Sequence, residues 1–332
     1  MHRSRHRREW RYGAARQARP APSCPAYTPR LRCADRKSLL LGTALASTLL
    51  IGTMLAPAPA AAVPCIQPAS PNPINDTEAT FITCVNTEPR INAAGNAIQL
   101  TTTGTGSYID LYNSGVLKTT NTNNSFMSAI LANTQGPSSP IAIENVAAIT
   151  ATNNGTGNAL AIRAFTTGVS SSIDIVNSGE MRAYSQEAGA VGLYGATQSG
   201  SVSIENSGDI TVTGFFGAGI RGIAGGAPLH IANAGDIVAT GNQLAVGIYA
   251  ETFGLGGAIA IENQGDIFLR ANSSFYGRAR GIYVDASGDF SPVSVVNSGD
   301  ITAIGNDAYV TGIRVETRNY SPVSIVNSGV SQ

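Results

Sequence analysis

A chain of 332 residues in which only 13% are charged and 37 are Gly, with Thr, Ser, Asn and Ala filling the tracts between, has the make-up of short strands and tight turns; it excludes a protein built on long helices. The formal net charge of zero hides two opposed parts. Residues 1–37 carry 11 Lys or Arg against Glu9 and Asp35, whereas the rest carries 10 basic and 19 acidic residues, a balance that repels phosphate backbones and excludes nucleic acid as a partner of the body.

Residues 1–62 read as a basic leader and secretory signal peptide. After Arg36-Lys37 comes an apolar run from Leu39 to Leu55, then Ala56-Pro57-Ala58-Pro59-Ala60-Ala61-Ala62, which offers an Ala-x-Ala cleavage site before Val63. A short membrane anchor is the competing reading, weakened by Gly42, Ser47, Thr48 and Gly52 within the run and by the prolines after it. Export places the body at the cell surface, outside the cell or in a periplasm, and removes Cys24 and Cys33. Cys65 and Cys84 are then expected to form a disulfide, with two free thiols as the other reading. Closing that loop would stabilise by about 3 kcal/mol in the chain-entropy model. Residues 63–92, which include the β-prone run Thr80 to Val85, are expected to form an N-terminal cap over an otherwise open sheet edge.

From residue 93 to 332 the chain repeats. Val202-Ser203-Ile204-Glu205-Asn206-Ser207-Gly208-Asp209-Ile210-Thr211-Val212 alternates apolar and polar residues on both sides of an Asn-Ser-Gly break, the period of two strands that each bury one face. The break is turn chemistry: Asn bonds nearby backbone, and Gly is expected to supply a positive φ. The corner asparagines fall at Asn113, Asn145, Asn177, Asn206, Asn233, Asn263, Asn297 and Asn327, a nearly even spacing, and all but the Asn145 unit have Gly next but one after the Asn. Further on, each unit carries a third alternating tract, as at Gly219-Ile220-Arg221 and Gly247-Ile248-Tyr249. Three short strands per coil of about 30 residues define an all-β, parallel β-helix, expected to be right-handed. Eight rungs would span about 38 Å at the strand spacing, with Val202, Ile204, Ile210 and Val212 inside and the asparagines stacked in an amide ladder. The chain stops at Gln332, in the middle of a coil, so it is expected to be the front of a longer protein.

Two columns are candidate sites. Glu180, Asp209, Asp236, Asp266 and Asp300 follow the corner in successive units and could hold Ca²⁺, although a solvated acidic turn tolerates the same charges and the Gly-Gly-x-Gly-x-Asp calcium nonapeptide is absent. Otherwise no metal or cofactor is expected. Arg163, Tyr194, Arg221, Tyr249, Tyr283 and Arg314 each follow a buried Ile or Leu and so face out, as a structural cation–π ladder or as a stripe able to grip a sugar ring or a partner protein. Material for catalysis is thin. His230 is the only His beyond the leader and alternates between Leu229 and Ile231 as an outward strand residue; pairs such as Asp285 with Arg280 could be drafted into polysaccharide cleavage.

The leader with its signal and the tandem Val-Ser-Ile-x-Asn-Ser-Gly-Asp-Ile units resemble the passenger region of a bacterial autotransporter, over about residues 38–332. The resemblance implies a secreted or surface-displayed, non-enzymatic, adhesin-like stalk with a host or cell-surface protein or glycan as partner. It also implies attachment to the outer membrane through a C-terminal β-barrel that this sequence lacks. The alternative is a polysaccharide lyase or hydrolase of β-helix type.

Overall fold

A computed structural model describes residues 63–64, 72–78, 80–122, 124–273, 277–305 and 309–332. The leader and signal segment, residues 1–62, and Cys65 lie outside the described residues. Cys84 is disulfide-bonded and fully buried.

All described regular structure is β, and every pairing is parallel, as a β-solenoid of about eight turns of roughly 31 residues. The first tract of each coil, ending at the corner Asn, forms a ten-stranded sheet from Val63–Pro64 through Ile82–Asn86 and Val202–Asn206 to Val323–Asn327. The second and third tracts share the other sheet. Register holds residue for residue: Ile173 lies beside Val202, Ile175 beside Ile204 and Asn177 beside Asn206. Alternation therefore places like residues in files, so that Val202, Ile204, Ile210 and Val212 are all buried, each fully enclosed aliphatic side chain contributing about 1.5–3 kcal/mol.

In two coils the expected three strands become two. Ile210–Ala224 and Ile237–Thr252 run through the second and third tracts without a break, with a register irregularity between Gly214 and Phe216. These coils follow Asn206 and Asn233, from which the next corner Asn lies 27 and 30 residues on, respectively. Their connections hold few unpaired residues, Phe215 in one and Asn242 and Gln243 in the other, so the strand runs on where other coils insert a turn.

The corner asparagines build one continuous ladder. Asn206 Nδ2 donates to Asn233 Oδ1 at 2.7 Å and to the Gly208 carbonyl at 2.7 Å, while its own Oδ1 accepts from Asn177 Nδ2 at 2.7 Å. The same pair of donations repeats from Asn86 to Asn297. These amides are buried, not set on a solvated rim as turn residues ordinarily are, and their donors and acceptors are satisfied within the rod. The ladder also begins one coil earlier than the sequence reading placed it, at Asn86, whose Oδ1 accepts from the buried Arg90 Nε at 2.9 Å. Within residues 63–92, Ile82–Asn86 pairs in register with Ile109–Asn113 and Ile74–Glu78 with Ile98–Thr102.

The corner glycines work differently from expectation. Gly208, Gly235 and Gly265 do not adopt a positive φ; a Cβ on each would fall on the carbonyl oxygen of the equivalent glycine one coil back. Close approach between coils is what these corners require, and among the corners of the ladder Glu88 and Ala147 carry side chains there. Left-handed backbone occurs instead at the turn into the first tract, at Gly106, Ser138, Ser170, Gly226, Gly256, Phe290 and Tyr320.

Candidate functional site

Where the chain passes from the second tract to the third, the solenoid wall is concave. The outward residues of the third tract there form a floor column, Leu160, Val191, Ala218 and Val246, paired in register over four coils. Beside it runs the column expected from sequence. Arg163, Tyr194, Arg221, Tyr249, Tyr283 and Arg314 are consecutive register partners, so strand pairing alone places residues as distant in sequence as Arg163 and Arg314 in one file. Phe216 and Leu244, also paired, stand on the opposite side, and Phe126 stands at one end. Together these walls and floor enclose a groove of about 580 Å³, within the range of small-ligand sites and like them mostly apolar with a few polar groups.

Five of the six column residues line the groove; the exception is Arg314, which donates from Nε to Glu316 Oε1 at 2.6 Å. The guanidinium groups of the two lining arginines, Arg163 and Arg221, rest on rings, as does that of Arg280, which lies outside the lining against the lining residue Tyr283. Arg221 lies 5.6 Å from the Tyr194 centroid and 5.1 Å from that of Tyr249; Arg163 is 4.6 Å from Phe165 and 5.5 Å from Phe126; Arg280 is 4.1 Å from Tyr283. Tyr249 and Tyr283 stack at 5.3 Å. Such contacts are worth about 0.5–1 kcal/mol each when exposed, and they hold the cations in place. They do not neutralise them: among the described residues Arg163, Arg221 and Arg280 make no ion pair, and the buried Nε of Arg221 has no hydrogen-bond partner. No carboxylate is among the described residues that line the groove.

Acidic residues stand one column further out, where Glu251, Asp285 and Glu316 are register partners. Tyr249 Oη donates to Glu251 Oε2 at 2.8 Å; burial, then that bond, pushes the Tyr249 hydroxyl far above the usual phenol range. Asp285 is also raised, first by desolvation and then by Glu251 and Glu316, with Arg318 the cation that opposes the shift. The drafted Arg280–Asp285 pair is not an ion pair here: Arg280 is turned onto Tyr283.

The candidate Ca²⁺ column is otherwise engaged. Asp209 Oδ1 accepts from the Asp236 backbone N–H at 3.1 Å, Asp236 from Asp266 at 2.9 Å, Asp266 from Asp300 at 2.8 Å, and Asp300 from Val330 at 2.8 Å. Glu180 pairs with Arg182 at 2.7 Å. Each aspartate fastens its coil to the next through an amide, and among the described residues no group of three or more His, Cys, Asp or Glu is arranged to hold a metal.

Sequence reading found one wall of the groove and missed its floor and far wall. Leu160, Val191, Ala218 and Val246 precede the Gly/Ala-Ile/Leu landmark by one residue, where plain alternation about the buried Ile or Leu would place them inside. The strand is irregular at that landmark, where Ala161, Gly192, Gly219 and Gly247 have no register partner, so the residue before it turns outward.

These features define a parallel β-solenoid with an amide ladder inside and a cationic, aromatic groove on its flank. Comparison with known protein families, curated proteins and solved structures found no match.

Proposed function

We propose that the chain is an exported, surface-displayed, non-enzymatic β-helical stalk of the autotransporter-passenger type, whose flank holds a partner at the cell surface. The observation that carries this reading is the groove, in which Arg163, Arg221 and five aromatic side chains converge with no carboxylate among the described lining residues, the neighbouring Glu251 being engaged by Tyr249 from one column further out. Binding energy comes from desolvated aromatic and Arg anchors in a recess. Glycoside hydrolysis uses a pair of carboxylates across the scissile bond, and the described residues lining this groove offer none. The rod itself supports the spacing role: each coil contacts its neighbours, so length is added without altering the coils already stacked.

Surface labelling tests it. Cells producing the chain should present residues 93–332 to external protease and antibody, and cells displaying it should adhere to a surface that cells carrying Arg221→Met and Tyr249→Ala do not hold. Protein confined to the cytoplasm, or release of unsaturated or reducing ends from acidic polysaccharides by the purified chain, would overturn the reading.

A further inference from the structure

We infer that the groove takes an acidic, proline-rich peptide in the polyproline II conformation, lying along the rod axis with a carboxylate at every third residue. This rests on reading the groove as a binding surface and names its occupant.

Spacing carries the inference. Arg163 and Arg221 are two coils apart in one register column, and Arg280, the register partner of the floor residue Val246, lies two coils beyond Arg221. At the strand separation, two coils advance about 9.6 Å along the axis. A polyproline II helix advances about 9.3 Å per turn of three residues, so residues i and i+3 would meet Arg163 and Arg221 within the groove, and i+6 would reach Arg280, which lies just outside the lining on Tyr283. An extended β-strand fits worse: its side chains return to one face every second residue, about 6.7 Å apart, and i+3 points away.

Charge complementarity supports the same occupant. The three cations are held on aromatic rings with no carboxylate paired to them among the described residues, and Arg221 Nε is buried without an acceptor. A carboxylate arriving there meets donors already positioned. Between the cations, the aliphatic floor of Leu160, Val191, Ala218 and Val246 offers apolar contact for proline rings, and aromatic-lined grooves are the usual dock for this helix. A sugar chain is served less well. Arg221 sits against the Tyr194 and Tyr249 rings and Tyr283 stacks on Tyr249, which leaves these tyrosines less free to lie flat against a pyranose.

The test is fluorescence anisotropy of the full chain with a fluorescein-labelled peptide of four Glu-Pro-Pro repeats. Comparison peptides replace Glu by Gln, or keep the composition with all Glu consecutive; an acidic oligogalacturonate serves as competitor. The repeat peptide should bind at least tenfold more tightly than either comparison peptide and weaken with added salt. Arg221→Met, which keeps the apolar stem, and Ala218→Trp, which fills the floor from its outward side, should each reduce affinity at least tenfold while circular dichroism stays unchanged. Equal binding of ordered and blocked peptides, or an Arg221→Met chain that binds as well as the parent, would overturn the inference. Should only the oligogalacturonate bind, and do so through Arg221, the peptide is wrong while the groove remains a binding surface.

Discussion

Replacing Asn206 by Ala removes one amide from the middle of the ladder and strands its neighbours. Asn177 Nδ2 loses its axial acceptor, although it still donates to the Gly179 carbonyl at 2.8 Å, and Asn233 Oδ1 loses its 2.7 Å axial donor. Both groups are buried, Asn177 at 1% and Asn233 at 2% exposure, so water does not readily replace the lost partner. At about 1–3 kcal/mol for each orphaned buried group, the substitution should cost about 2–6 kcal/mol. Ala at the exposed Asn242 should change stability by less than about 0.5 kcal/mol. Asn206→Asp sharpens the test. Its carboxylate can accept from Asn177 but faces the Asn233 oxygen with no hydrogen to give, so at neutral pH it should be at least as damaging as Ala. Protonation restores a donor. The carboxyl pKa is therefore raised in the fold, and stability relative to the parent is retained below the ordinary carboxylate range and lost as pH rises through the raised value. Hydrogen exchange followed by mass spectrometry, with denaturant unfolding by circular dichroism, reads both effects, and protection should fall first at the Ser207 and Ala234 amides beside the break. Ladder and control variants of equal stability would refute the premise that the axial amide bonds hold the coils together.

Arg90→Met should unfasten the first coil, because Asn86 Oδ1 then lacks its donor; exchange protection should drop over residues 82–102 and stay unchanged over Ile259–Asn263. Asp285→Asn should raise the melting temperature at pH 7, with the gain vanishing at low pH. The native carboxyl is held above its ordinary value, so its contribution to stability is present below that value and is lost as pH rises through the raised one; a gain that grows on acidification would contradict the sign. Chelator or millimolar Ca²⁺ should leave the melting temperature unmoved, since Asp209, Asp236, Asp266 and Asp300 already accept backbone amides; a rise of several degrees with Ca²⁺ would show that those bonds yield to the ion. Spectrophotometric titration should find one tyrosine fewer resisting ionisation at high pH after Tyr249→Phe.

The coil was legible because one physical device, an in-register parallel stack, writes itself into sequence as a period. Asn206, Asn233 and Asn263 announce it together, and alternation on either side assigns Ile204 and Ile210 to the interior. What escaped notice were the places where the period is broken or bent. Asn86 precedes Asn113 by the same interval that separates Asn206 from Asn233, and Ile82-x-Cys84-x-Asn86 keeps the alternation; only the missing Ser-Gly after it hid the coil. Arg90 drew no notice because nothing local shows that the Asn86 amide oxygen accepts from it. The column from Arg163 to Tyr283 was visible as a repeated position, but its concave setting depends on a strand irregularity that no single unit displays. The corner glycines were recognised for the wrong reason, since the crowding at Gly208 comes from Gly179, its counterpart in the preceding coil.

The amide column has a direction. Every axial bond runs from the nitrogen of one coil to the oxygen of the following coil, from Asn86 to Asn327, so the dipoles add rather than cancel. One end of the file is therefore oxygen-facing and the other nitrogen-facing. The oxygen end is closed within the chain, because Asn86 Oδ1 already accepts from the buried Arg90 Nε. Whatever extends the file does so at the nitrogen end, by presenting an oxygen to Asn327 Nδ2.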